Sequence, residues 1–518
     1  MEGEPVKIPP PSEAEPFHRL GRVQSSRWIL AATVITRPIQ LFMNVVLARL
    51  LEPVGFGLLG LANSTAVSFT GIAGFGLDAA VNRFSAEYYW RDTPTGRYFI
   101  SLIMGIFFLI STTFFLTLAW LIPHWGVRFF PSTTPLIIIG LCLLLGWLNG
   151  LLTNGFNLLT GLQLFDAAAS FSILQSVLMF GATLFLGWRW GPTGAIAGYL
   201  VAAIGCILFI TWKLWRFDRK MFQLDVSLDI RYLKEIFGCA FPAWLGYLTF
   251  NPITTLTLAM LDHYPGGAFQ LGMFQTANGL RMVLAVLPGV VGAIIAPAIF
   301  EEGGRLGRPD AYEKLLRNSL VAFSFLTLPL LTFLLFWRSW IFLIYGTHYL
   351  GSCELFVPLV AGVCVSLVSS PAQFALVAKN RMWHLQGIGV LKAVTLFVGA
   401  YLLLPRFLAY GLGWTFLASE LVFAVCLYEF GIYWGVLPSS IRAPFYKFLA
   451  MIMVILLAGL WLPRPVAHAL SLPVSMGLAA LLVRRYPKVA NWIVQMAPLA
   501  FRPKVEKMLH AVFVTPIA

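Results

Sequence analysis

Seven polar side chains interrupt runs of apolar sequence: Arg37, Asn63, Gln275, Asn278, Arg281, Lys392 and Glu420. A charged group at the centre of a hydrocarbon layer costs at least ~2.5–3.5 kcal/mol on insertion scales, so it must face water, an opposite charge or a ligand. Arg37 precedes Pro38 and lies about 13 Å, at 1.5 Å per residue, from the nearer end of its apolar run. It could serve a ligand, or form a structural ion pair with Asp78 or Glu87. Gln275, Asn278 and Arg281 recur at i, i+3 spacing and share one helix face. No acid within that run neutralises Arg281. Lys392 and Glu420 lie at about 12 and 15 Å depth in successive runs, which suits a buried ion pair or a proton or sodium coupling site. Asn149, Thr153, Asn157 and Thr160 form another polar face, the kind that joins helices by hydrogen bonds. The chemistry of the arginines is specific. A guanidinium is a planar fork that binds phosphate or pyrophosphate through paired hydrogen bonds. A cation carrier would instead place carboxylates in the apolar runs, where here only Glu420 lies deep.

Other chemistries are absent from the sequence. It has no glycine-rich phosphate loop ending in Lys-Ser/Thr, no HExxH and no Ser/His/Asp grouping, so no catalytic residue is expected and the chain is not read as an enzyme. The six cysteines form no CxxC pair and lie beside no histidine cluster, so neither metal, cofactor nor disulfide framework is expected. The net charge of +14 does not point to nucleic acid, because no soluble domain carries it.

The elements that must position these residues are membrane helices. Hydrophobic residues make up 59% and charged residues 11% of 518, with a mean hydropathy of +0.81. The charges gather in short clusters between long apolar runs, the pattern of an all-α polytopic membrane protein. Taking about 20 apolar residues per span, fourteen spans are expected: 28–49, 56–81, 98–122, 134–160, 166–187, 192–213, 237–260, 270–299, 318–345, 353–378, 384–404, 408–430, 445–462 and 465–483. With the N-terminus inside, inner segments hold 27 of the Lys and Arg residues and outer loops 6, which predicts cytoplasmic termini and an even number of spans. The polar, proline-rich stretch 1–27 reads as a disordered cytoplasmic tail and not as a signal peptide. Residues 485–518 read as a basic, partly amphipathic tail at the inner leaflet.

The chain also repeats itself. The corner GFGLLGLANSTAV at 55–67 has a counterpart in GAFQLGMFQTANGL at 267–280, which sets Asn63 on Asn278 at an offset of 215 residues. ILQSVLMF at 173–180 matches VLKAVTLF at 390–397, and Gly194 matches Gly411, at offsets of 217. The expected organisation is an N-lobe at 28–213, a cytoplasmic linker at 214–236, a C-lobe at 237–430 and two appended spans at 431–484. An offset of six spans preserves orientation, so the lobes are related by a pseudo-two-fold axis along the membrane normal, with the substrate site between them. Asn63 is expected to partner Asn278 across the lobe interface.

The stretches NVVLARLLEPVGFGLLGLA (44–62), GFGLDAAVNRFSAEY (74–88) and ANGLRMVLAVLPGVVGAIIAP (277–297) give the chain a resemblance to the oligosaccharide flippases. These are the O-antigen and polysaccharide exporters of the multidrug/oligosaccharidyl-lipid/polysaccharide exporter superfamily. The resemblance covers roughly residues 25–435. It implies a V-shaped, two-lobed transporter in the bacterial inner membrane. Such a protein carries an undecaprenyl-pyrophosphate-linked oligosaccharide from inner to outer leaflet by alternating access, for surface polysaccharide (O-antigen, lipopolysaccharide) biosynthesis. It further implies a lipid-linked glycan as substrate, contact with membrane lipids, and a polysaccharide polymerase and glycosyltransferases as partners. Related lipid II flippases line their cavity with basic residues in the first and eighth helices, where Arg37 and Arg281 fall. The drug-exporter branch keeps an acid in its first helix, which this chain lacks. Two other readings stay open: a cation-coupled multidrug or metabolite exporter, and a non-transporting scaffold of a polysaccharide assembly complex.

Overall fold

The computed structural model describes residues 19–89, 93–121, 136–222, 230–285, 309–379 and 381–462, with a few helical positions beyond them. Among these residues every long element is an α-helix: α1 (Arg19–Ala73), α2 (Leu77–Tyr88), α3 (Thr93–Leu121), α4 (Leu136–Gly161), α5 (Phe165–Phe217), α6 (Ile230–Asp262), α7 (Gly267–Leu284), α8 (Pro309–Tyr345), α9 (Ser352–Ala378), α10 (Met382–Tyr433) and α11 (Arg442–Trp461). Eight of the helical segments are long and apolar enough to cross a membrane. Apolar side chains such as Trp188, Leu208, Tyr401 and Val454 stand exposed around the bundle. Hydrocarbon covers such surface at no cost, whereas water would not.

Three expected pairs of spans are each two helices that meet at a sharp non-helical break, with no loop between them. α1 turns at Glu52 (φ 57°), α5 at Trp190 and Gly191 (φ 63°), and α10 at Leu408 (φ 47°). Pro53 and Pro192 follow directly on two of these breaks. Proline lacks the N–H that a helix start leaves unused, so it can open the next helix with no loop. The connection between the first two expected spans is therefore the single positive-φ residue Glu52. Gly191 and Leu408 are separated by the same 217 residues as the matched sequences, so the repeat is written into the backbone as well.

Other boundaries move. α1 begins at Arg19, inside the tail expected over 1–27, and α6 begins at Ile230, inside the expected linker. The span expected at 56–81 stops at Ala73, and Phe75 (φ 47°) and Gly76 (φ 68°) turn the chain into α2, which takes up much of the expected charged loop. Most of 465–483, all of 485–518 and much of the second half of 270–299 lie outside the described residues. Just beyond α5 the chain is pinned. Asp218 accepts from Tyr89 Oη at 2.9 Å and from Arg97 Nε at 2.5 Å, and Ser101 Oγ donates to Met221 O at 2.8 Å. Burial and the Asp218 carboxylate push the Tyr89 hydroxyl up to about 12, so it remains a donor at neutral pH.

The two corners meet through glycine. A methyl group on Gly57 would lie 2.6 Å from Gly272 N and 2.9 Å from Ala268 O, and one on Gly272 would strike the Pro53 carbonyl. These contacts are reciprocal, because Pro53 and Ala268, like Gly57 and Gly272, are 215 residues apart. A pseudo-two-fold axis passing between α1 and α7 produces that reciprocity. Apolar side chains continue the contact from Leu47 and Leu59 through Leu271 and Phe274 to Phe356 and Phe416. Replacing Gly272 by leucine should therefore destabilise the fold by ~1–3 kcal/mol through overpacking. Gly140→Leu, at a glycine with open space beside it, should leave the melting temperature in detergent nearly unchanged; equal melting of the two variants would contradict this packing.

Candidate functional site

α7 carries the polar face expected from its spacing. Asn278 Nδ2 lies 3.5 Å from Gln275 Oε1, and Arg281 Nε donates to Asn278 Oδ1 at 2.8 Å. Gln275 is buried beneath Gly60, whose missing side chain leaves room for it, and its Nε2 has no partner among the described residues. The guanidinium of Arg281 stands 5.2 Å from the Phe416 ring centroid, a cation–π distance, and its Nη2 lies 3.6 Å from Met282 Sδ. One edge is thus fixed by an amide and one face by an aromatic ring, and no carboxylate among the described residues pairs with it directly. The remaining guanidinium N–H groups keep the planar fork geometry that suits an anion such as phosphate.

Lys392 and Glu420 meet as the sequence suggested. Lys392 Nζ is 2.7 Å from Glu420 Oε1, with both side chains largely buried. The ammonium also lies 4.5 Å from the Phe250 ring centroid and 5.1 Å from that of Phe423. Glu420 Oε2 has no partner among the described residues, and Glu420 lies one helical turn beyond Phe416, the ring beside Arg281. The ion pair borders a cavity of about 150 Å³ lined by Thr249, Ser366, Gln373 and Gln386 from α6, α9 and α10. Three charges therefore share one region of the second half, although 111 and 28 residues separate them along the chain.

Arg37 is placed differently. Its Nη1 donates to Gln40 Oε1 at 2.8 Å, and its buried Nε has no partner among the described residues. It lines a cavity of about 210 Å³ with Gln40, Thr36, Ser172, Gln175 and Ser176, between α1 and α5. Asp78 does not neutralise it, since Asp78 Oδ2 accepts from Tyr247 Oη at 3.0 Å; the side chain of Glu87 lies outside the described residues. Asn63 is exposed, and the cross-contact expected for it with Asn278 runs instead through Gly57, Gly60 and Gly272. In α4, Thr153 and Thr160 bond back to their own helix, and Asn82 Nδ2 donates to Thr160 Oγ1 at 2.8 Å, which makes this face partly helix-joining.

The sequence missed two groups. Phe416 had no signal, being one of 43 phenylalanines. The second is a cross-contact at the far end of α1. Trp244 Nε1 donates to Ile72 O at 2.9 Å, and its ring stacks on Phe75 at 4.5 Å.

Comparison with known proteins gives three kinds of result. Residues 23–301 match the family model described as polysaccharide biosynthesis protein. No curated protein matches the chain in sequence. Among solved structures, a lipid II flippase MurJ in an inward closed conformation is similar with a TM-score of 0.67 at 14% identity, covering 88% of this chain and 98% of that one. An inward-facing multidrug resistance MATE family transporter of the MOP superfamily gives 0.57 at 15% identity, covering 82% and 98%. A MOP superfamily transporter from Pyrococcus furiosus gives 0.50 at 13% identity, covering 83% and 95%. At these identities the likeness is one of fold.

Proposed function

The chain belongs to the polysaccharide biosynthesis protein family, and from that premise we propose that it is a flippase for a lipid-linked oligosaccharide. The substrate is a glycan joined through pyrophosphate to a polyprenyl lipid such as undecaprenol. It moves from inner to outer leaflet of the bacterial inner membrane by alternating access, with both protein termini in the cytoplasm. The observation that carries the reading is Arg281, held by Asn278 and Phe416 at bilayer depth with guanidinium donors left for a ligand. A pyrophosphate linkage supplies an anion for these donors, which no cationic drug does. Arg37, in its separate hydroxyl- and amide-lined cavity, binds the pyrophosphate at another depth of the passage. The lobes are the repeats at 28–213 and 237–430, and the polymerase and glycosyltransferases of the same process are its partners.

The fold shared with a MATE transporter favours one rival, a cation-coupled exporter. A cation carrier needs a carboxylate free for its cargo, and Glu420 is engaged by Lys392. Proteoliposomes separate the two. The protein should move a fluorescent polyprenyl-pyrophosphate oligosaccharide between leaflets and should not transport ethidium. Ethidium efflux that depends on Glu420, with no movement of the lipid, would establish the rival instead.

A further inference from the structure

A second cavity, of about 170 Å³, lies between α1, α4 and α6. At about 30 Å³ per liquid water it holds a handful of waters or one sugar ring. Its walls are unusual in two ways. Gly71, Gly74 and Gly150 contribute bare backbone, against which a flat ring can lie closely. Its polar groups are weighted toward acceptors. Asn154 Nδ2 donates to Gly150 O at 3.0 Å, while its Oδ1 is buried without a partner among the described residues. Asp78, almost wholly buried, accepts from Tyr247 Oη through one oxygen. Thr153 Oγ1 spends its proton on Asn149 O, and Thr70 Oγ1 lies 2.9 and 2.8 Å from Ala66 O and Gly146 O. Such a site calls for a ligand rich in donors. Adjacent hydroxyl groups on a sugar fit it, since a carboxylate can accept from two neighbouring hydroxyls at once.

The same residues bridge the two halves. Asp78 and Tyr247 join α2 to α6 across the lobe boundary, next to the Phe75–Trp244 stack and the Trp244–Ile72 hydrogen bond. The turn that carries them is strained. Phe75 has φ 47°, a left-handed conformation that costs a non-glycine residue about 1–2 kcal/mol. A methyl on Gly76 would collide with the Ala240 carbonyl. A ligand that draws Asp78 away from Tyr247 therefore loosens a contact already held against strain.

We infer that this cavity is a sugar-reading subsite, taking one pyranose unit of the transported glycan on Asp78 and Asn154, and that its occupancy releases the Phe75–Trp244 latch. The inference rests on the flippase reading and adds to it the part of the substrate that loosens this contact between the halves.

The test uses the full-length protein in nanodiscs, at fixed sodium chloride. The readout is the tryptophan fluorescence lost in Trp244→Phe, which isolates the latch ring from the other tryptophans. Methyl pyranosides of the common hexoses and N-acetylhexosamines are titrated, and sodium chloride and pyrophosphate are titrated separately. At least one glycoside should give a saturable change at Trp244, and Asn154→Leu, of nearly equal volume, should weaken it about tenfold or more, the worth of a hydrogen bond to a buried acceptor. Asn251→Ala, on the opposite wall, is the second variant should Asn154→Leu not fold. Arg281→Ala should leave the sugar response intact. No response to any glycoside, a response that survives both wall variants, or an Asn154-dependent response to sodium alone would each overturn the subsite. Leaflet transfer of the lipid-linked oligosaccharide without any sugar response defeats this inference alone. A sugar response without transfer defeats the flippase reading and leaves only a sugar-binding cavity.

Discussion

Arg281→Ala is expected to abolish translocation while leaving the protein folded. The substitution removes the guanidinium whose Nε bonds Asn278 and whose face covers Phe416. Losing a charge-assisted, desolvated contact to a buried phosphate costs about 2–5 kcal/mol, which is roughly 30-fold to 5,000-fold in rate at 1.36 kcal/mol per decade. Folding should suffer far less. Arg281 has no directly paired carboxylate among the described residues, so its loss strands no buried opposite charge. Arg281→Lys keeps the charge but loses the planar fork and the Nε bond, and should fall between wild type and alanine. Initial rates of leaflet transfer in proteoliposomes, normalised to protein that elutes as a single species, provide the measurement. A wild-type rate in Arg281→Ala would remove Arg281 from the site.

The second large effect concerns stability. Lys392→Met leaves Glu420 buried with both oxygens lacking a cation, and Glu420→Met leaves Lys392 largely buried without an opposing charge. Breaking one side of a buried pair costs ~3–5 kcal/mol, whereas replacing both by apolar groups of similar volume is close to neutral. Each single variant should therefore melt well below wild type in detergent, and Lys392→Met with Glu420→Met should regain most of the loss. The coupling between the two changes should reach ~0.5–3 kcal/mol. Additive losses would show that the pair does not act as a pair. Transport by the double variant then separates an ion pair that shapes the helices from a coupling site: near-normal rates show the former.

Much of the fold could be read from the chain because the bilayer is a demanding solvent. Each backbone N–H and C=O must be satisfied inside its own segment, so an apolar run of the right length is a helix. The repeat was equally legible, and the left-handed residues at Gly191 and Leu408 recur at the offset found in sequence. Exact boundaries were less so. Hydropathy does not give the length of a connection, so Glu52 and Trp190 fall in expected loops of several residues and Leu408 at the expected start of a span, whereas each break takes only one or two residues.

For the site, periodicity put Gln275, Asn278 and Arg281 on one face, and depth matched Lys392 to Glu420, because both are properties of helices taken singly or in neighbouring pairs. Cross-chain partners followed no such rule. Arg281 meets Phe416 across 135 residues, Tyr247 reaches Asp78 across 169, and Asn63 yields its expected place at the interface to glycines. The sequence by itself determined a membrane-embedded, duplicated helical chain with arginines at costly depth, since burial energy and helical period act along the chain. Only the tertiary structure decided which groups surround each charge. That depends on how helices cross, and crossing is set by the close approach that Gly57, Gly60 and Gly272 permit between the halves.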